Sequence, residues 1–222
     1  DELDFRYLLS SLSHDPEFGP VVRRLLRRAG QALASGDPAR LSRAAEAVAA
    51  LVRLRPSDHL GWTLLALLER AEGRDARAQR SLLRALAAKE DYGPAYRELG
   101  SLLLAAGEHR KAGAHLRQAG RLNPQDAETQ LALGSFYVAL HERARAGEHL
   151  KLVLRLAPGT SVARSASRML LALEGGAVRT PTSIIRREVE GSRDRDLIAR
   201  TFGHTLDLEP DAGDRTNPGE DF

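Results

Sequence analysis

Residues 96–100 read Tyr-Arg-Glu-Leu-Gly, and residues 130–134, which lie 34 positions further on, read Gln-Leu-Ala-Leu-Gly. The same offset relates Ala-Gly-Ala-His-Leu at residues 112–116 to Ala-Gly-Glu-His-Leu at residues 146–150. A constant period of this length predicts a repeat protein, in which each unit buries its apolar face against its neighbours.

Three units without insertions follow from this period, at residues 59–92, 93–126 and 127–160. Each unit carries apolar residues at positions i, i+3, i+4 and i+7, which predicts a helix with one buried stripe, followed by a second, alanine-rich helix. A fourth unit at residues 20–56 keeps the pattern only in part, because its turn at Gly36 comes early. We therefore expect three clear repeats and one degenerate repeat.

The turns and helix ends have their own signals. Gly73, Gly107 and the corner at His141 are predicted to make the turn between the two helices of a unit. Pro124 and Pro158 are predicted to stop second helices, because proline lacks the N–H group that would continue the helix.

These residues resemble the tetratricopeptide repeat family, whose units have large apolar, small and proline residues at the same places. The resemblance implies an all-α fold, a right-handed solenoid of antiparallel helix pairs whose first helices line a concave groove. It also implies that the chain binds a protein or a peptide.

The ends of the chain differ from the repeats. We expect an N-terminal capping helix and linker at residues 1–19, an array over residues 20–174, and a capping helix at residues 161–174 that closes it. Residues 175–222 are rich in charge, proline and glycine, and predict a flexible, largely extended or disordered tail. Apolar residues between Leu197 and Phe202 could dock on a groove, and the acidic end could rest against the basic body.

Composition excludes several classes of protein. The 222 residues contain no cysteine, which rules out disulfides, cysteine-ligated zinc and thiol catalysis. Residues 1–174 hold 26 basic and 20 acidic side chains, but these are intermixed and aromatics are only 5%, which disfavours nucleic-acid binding. No apolar run is long enough to cross a bilayer, so a cytoplasmic location is expected. The preference for arginine over lysine is typical of GC-rich bacterial genes.

The candidate site is the far side of the first helices, where a helical wheel places a strip of leucines with few charges. Arg70 and Arg97 are expected at the rim as charge anchors. Ser101 and Ser135 stand where relatives that clamp a C-terminal carboxylate carry asparagine, which disfavours that ligand. Ordinary packing between repeats is the competing explanation for the leucines. The predicted apolar strip comprises Leu60, Leu67, Leu104, Leu131 and Val138.

No motif for nucleotide binding, for hydrolase chemistry or for a zinc protease occurs in the sequence, so we expect no enzyme activity, no cofactor and no metal. His115 and His149 occupy the same place in adjacent units and are interpreted as solvent-facing repeat residues.

The expected function is therefore that of a non-catalytic adaptor or scaffold, which binds a helical or extended apolar peptide of a partner protein in the concave groove. Three alternatives remain open: a chaperone for a secreted or membrane client, a self-associating or autoinhibited module whose tail fills the groove, and the regulatory region of an enzyme.

Overall fold

A computed structural model describes residues 19–174, and the regular secondary structure of this part of the chain is all α-helical. The predicted all-α fold is confirmed. The predictions for residues 1–18 of the N-terminal cap and for the tail at residues 175–222 lie outside the described residues. The helices are α1 Gly19–Ser35, α2 Pro38–Leu54, α3 His59–Ala71, α4 Asp75–Ala88, α5 Gly93–Ala105, α6 His109–Leu122, α7 Ala127–Ala139, α8 Arg143–Leu156 and α9 Ser161–Glu174.

The helices form four hairpins, α1–α2, α3–α4, α5–α6 and α7–α8, and α9 packs against the last of them. Each hairpin lies within one of the units described above. No helix within residues 19–174 is both long enough and apolar enough to cross a membrane.

Short-range signals set the helix ends. The carboxylates of Asp58 and Asp126 cap α3 and α7 by accepting hydrogen bonds from backbone N–H groups of the first turn. Gly73, Gly107 and His141 occupy equivalent turn positions, and all three have a positive φ, of 75°, 79° and 60°. Glycine adopts this conformation without strain, whereas histidine does so at a cost, so the third turn is the least favourable of the three.

The core repeats with the same period. Three positions of the second helix are almost completely buried in all four hairpins, including the degenerate one, because they face the first helix of the same hairpin. They are Ala44, Ala78, Ala112 and Ala146; Val48, Leu82, Leu116 and Leu150; and Leu51, Ala85, Ala119 and Val153.

Small residues allow the two helices of a hairpin to approach closely. A Cβ atom added to Gly100 would lie 2.6 Å from Leu116 Cγ, and one added to Gly134 would lie 2.7 Å from Leu150 Cδ2. Glycine at these two positions therefore makes room for the leucine of the facing helix.

The stack has two unlike sides. First helices of successive units contact one another, as in α1–α3, α5–α7 and α7–α9, whereas second helices in the described range make no comparable contacts with one another. The first helices therefore converge and form the inner face, and the second helices form the outer face.

The glycines at equivalent positions of α6 and α8 give the first prediction. An added Cβ at Gly113 would lie 2.5 Å from Phe136 Cζ, whereas one at Gly147 meets nothing within 4 Å. We expect Gly113→Ala to destabilise the fold by about 1–3 kcal/mol through overpacking against a buried ring. We expect Gly147→Ala to stabilise it by about 0.5–1 kcal/mol, because alanine favours a helix interior.

Urea denaturation followed by circular dichroism measures both changes. Equal effects of the two substitutions would contradict the close contact between α6 and Phe136.

Candidate functional site

The apolar strip predicted on the first helices is largely covered in the structure. Leu67 is only 8% exposed and Leu104 only 6%, so neighbouring side chains cover these two residues of the predicted groove almost completely. Leu60, Leu131 and Val138 are half-buried and pack against the core. Neighbouring helices cover these side chains, which is the packing explanation that the sequence left open.

The polar residues of the predicted site also lie on the inner face, but at different depths. Ser101 is half-buried, whereas Ser135 is buried and donates a hydrogen bond to the Leu131 carbonyl oxygen at 3.0 Å. Met169 of α9 lies over this serine, with its sulfur 3.7 Å from Ser135 Oγ. The last helix therefore covers the inner face of α7.

A cluster of charged side chains joins three consecutive first helices across the inner face. Arg97 of α5 is central: its Nη1 lies 2.9 Å from Asp126 Oδ2 and 3.0 Å from Glu128 Oε2, and its Nε donates to Glu98 Oε1 at 3.2 Å. Glu98 in turn accepts a hydrogen bond from Arg70 Nη1 of α3 at 3.2 Å. We call these five residues the inner-face charge cluster.

Burial and charge act in opposite directions within this cluster. Burial alone would lower the pKa of Arg97, but the carboxylates of Glu128, Glu98 and Asp126 outweigh it and raise that pKa above its usual value. Burial alone would raise the pKa of Asp126, and the Arg97 guanidinium with the hydrogen bonds from Thr129 outweighs it, so that pKa is lowered. The central pair of Arg97 and Asp126 is therefore fully charged at neutral pH.

The two most exposed side chains of the cluster are carboxylates. Two guanidinium groups face three carboxylates, which leaves one excess negative charge. The side chain of Arg97 is only 6% exposed, while those of Glu128 and Asp126 are 14% and 25% exposed. Arg97, predicted as a charge anchor at the rim, is thus a buried residue that holds carboxylates in place, and Arg70 is bound to Glu98 at its side.

The sequence-based prediction missed the acidic half of this cluster. It assigned no role to Glu98, Asp126 or Glu128. The sequence did contain a signal for this cluster. An acidic residue on the inner face of one unit follows an arginine on the inner face of the unit before it, and packing of the first helices brings such a pair together.

Replacing the central arginine is expected to be costly. Arg97→Met leaves three partly buried carboxylates without their shared counter-charge, and we expect a loss of about 3–5 kcal/mol in the free energy of unfolding. Arg84→Met, at an exposed position of α4, serves as the matched control and should change stability by less than about 0.5 kcal/mol. Chemical denaturation at neutral pH measures both variants, and equal stabilities would contradict a structural role for the cluster.

The two repeat-related histidines are half-buried, which corrects their interpretation as solvent-facing. His115 stacks on Tyr96 with ring centroids 5.9 Å apart, and His149 stacks on Tyr137 at 5.3 Å. His149 Nδ1 is also hydrogen-bonded to Gln130 Oε1 at 2.7 Å. No group of metal-ligating side chains occurs between residues 19 and 174.

Burial lowers the pKa of His115 and of His149 below the ordinary value of 6.5, and the charge of Glu148 only partly opposes this for His149. The unfolded chain therefore takes up protons at a higher pH than the folded chain does. The contribution of these histidines to the free energy of unfolding is fully present above their pKa in the unfolded chain, about 6.5. It decreases as the pH drops from that value towards their lower pKa in the folded chain.

We expect the urea concentration at the unfolding midpoint to decrease when the pH is lowered from 7.5 to 5.5. The decrease should be smaller in a His115→Gln/His149→Gln variant, which has lost two of the responsible groups. His109→Gln, at the exposed beginning of α6, is the control. An unchanged pH dependence in the double variant would exclude these two histidines as its source.

The stacked hairpins with first helices inside and second helices outside define an α-solenoid. Residues 103–170 match the tetratricopeptide repeat family profile. The prediction of tetratricopeptide repeats is thus confirmed, and the chain folds as a tetratricopeptide-repeat solenoid. Comparison with curated protein sequences gives no significant match.

Solved structures of tetratricopeptide-repeat proteins share this fold. TTC0263 from Thermus thermophilus is 24% identical, with a TM-score of 0.59 over 82% of this chain and 97% of its own. YrrB, described as a TPR protein with an unusual peptide-binding site, is 17% identical, with a TM-score of 0.53 over 89% of this chain and 97% of its own. MamA is 23% identical, with a TM-score of 0.55 over 68% of this chain and 85% of its own.

Proposed function

We propose that this chain is a non-catalytic adaptor that binds a peptide segment of a partner protein on its inner face. The fold itself suggests a protein-interaction scaffold, and the inner-face charge cluster is the observation that carries the more specific proposal. It adds a chemical preference: the bound segment presents a basic side chain to Asp126 and Glu128.

The geometry of the two carboxylates supports this preference. Asp126 uses Oδ2 for its contacts with Arg97 and Thr129, which leaves Oδ1 on a partly exposed side chain. Glu128 lies in the first turn of α7, close to this carboxylate, and a carboxylate accepts several hydrogen bonds at once. Because Arg97 holds both groups in fixed positions, a lysine or arginine of the ligand meets acceptors that need no reordering.

Apolar contacts supplement this polar anchor. Leu60, Leu131 and Val138 keep part of their surface on the inner face. The burial of Leu67 and Leu104 removes the widest part of the predicted apolar strip. This favours an adaptor for a short mixed peptide over a chaperone that shields a long apolar segment. The peptide-binding site named for YrrB supports peptide binding by this fold.

Selection of random peptides on the immobilised protein tests the proposal. We expect binders that share one lysine or arginine flanked by apolar residues. Titration calorimetry should then show an affinity at least about tenfold weaker for Glu128→Gln, because a charge-assisted hydrogen bond is worth about 1.5–3 kcal/mol.

Glu148→Gln is the matched control, since it makes the same chemical change at an exposed position of α8. Because Glu128 also pairs with Arg97, the melting temperature of each variant is measured first, and the titrations are made at a temperature at which both variants are fully folded. Acidic binders, or equal affinities for the two variants, would rule out the carboxylates as the recognition site.

A further inference from the structure

The folded chain separates charges that the sequence intermixes. The first helices α3, α5 and α7 together carry two arginines and three glutamates. The second helices α6 and α8 carry eight lysines and arginines and a single acid, Glu148. The inner face is therefore slightly acidic in this region, while the outer face is strongly basic.

Six of these cations are exposed and form no ion pair with any residue between 19 and 174. By contrast, Lys111 and Arg145 pair with Glu108 and Glu142 at the helix beginnings. We call the six the outer basic face: Arg110, Arg117, Arg121, Arg143, Lys151 and Arg155.

A sequence of opposite charge occurs in the same chain. Residues 207–221 contain six carboxylates and one basic side chain, Arg215. We propose that this acidic segment docks in the same chain on the outer basic face and screens it from other anionic ligands.

The tether favours an intramolecular contact. Helix α9 packs directly against α8, and 32 residues connect its end at Glu174 to Asp207. A connection of this length can span at most roughly 100 Å at about 3.3–3.6 Å per residue, which allows the acidic segment to reach α6 and α8. A contact within one chain is also intramolecular, which raises the effective concentration of the segment relative to that of a free ligand.

The composition of the outer basic face argues against two other modes of binding. Single-stranded nucleic acid stacks its bases on aromatic side chains, and α6 and α8 carry no tryptophan, tyrosine or phenylalanine. Insertion at a membrane surface requires exposed apolar anchors, and the large exposed apolar side chains of the described residues, Leu54, Leu83 and Leu171, all lie on other helices. Contacts with an acidic, largely polar peptide need neither aromatic side chains nor exposed apolar anchors.

Paramagnetic relaxation measured by NMR on the full chain tests the proposal. The chain has no cysteine, so Gly219→Cys provides a single site for a nitroxide label beside Glu220. We expect amide signals of the outer basic face to relax at least about threefold faster than those of the inner face of α5 and α7 at low salt. The difference should disappear at about 0.5 M salt, where screening shortens the reach of charges to a few ångströms.

A variant with a neutralised segment is the matched comparison, because it keeps the label and the length of the chain. It should lose the enhanced relaxation while its melting temperature stays the same. The substitutions are Asp207→Asn, Glu209→Gln, Asp211→Asn, Asp214→Asn, Glu220→Gln and Asp221→Asn.

Three outcomes would overturn the proposal. Enhanced relaxation confined to the inner face would place the segment in the peptide groove, and uniform relaxation would show that it does not dock. The third outcome comes from a mixture of two samples, one isotope-labelled without the nitroxide and one carrying the nitroxide without isotope labels. Equal enhancement of relaxation in this mixture would assign the contact to a second copy of the chain. None of these results depends on whether the inner face binds a partner peptide.

Discussion

The close packing of the two helices within each hairpin is the contact on which the rest of the structure depends. Leu116 and Leu150 fill the space left by Gly100 and Gly134, and the alanine columns of the second helices are fully buried. The glycines and alanines let the two helices of a hairpin lie close together. Hairpins that recur with a regular 34-residue period then stack so that residues of successive first helices meet.

The inner-face charge cluster is a product of that regularity. Arg97 meets Glu128 because the two residues lie on neighbouring first helices, although they are far apart in the sequence. A buried guanidinium group is tolerated only when carboxylates surround it, so the cluster stabilises the stack only as a whole. The same arrangement leaves the Asp126 and Glu128 side chains partly exposed, which supports the proposal that the inner face binds a basic side chain.

The outer face follows a different constraint. Second helices contribute their small residues to the hairpin contact and expose a wide surface to water, where arginine and lysine carry almost no desolvation cost. Positive charge therefore collects there without affecting the fold. On both proposals, the basic peptide and the acidic segment would occupy opposite sides of the solenoid.

Local chemistry in the sequence determined most of the fold. The 34-residue period, the spacing of apolar residues and the turn residues predicted which segments are helical, because helix and turn signals act over a few residues. The positive φ of His141 also follows from its alignment with Gly73 and Gly107. These features needed no knowledge of neighbouring hairpins.

Only the tertiary structure decided the character of the candidate site. A helical wheel shows which side of a helix faces inward, but the burial of Leu67 and Leu104 depends on how closely the neighbouring helices cover that side. Likewise, the partners of Arg97 and the stacking of His149 on Tyr137 depend on distances between helices. The period of apolar residues shows which side of a helix faces inward, whereas the exposure and the charge partners of each side chain are set by the packing between helices.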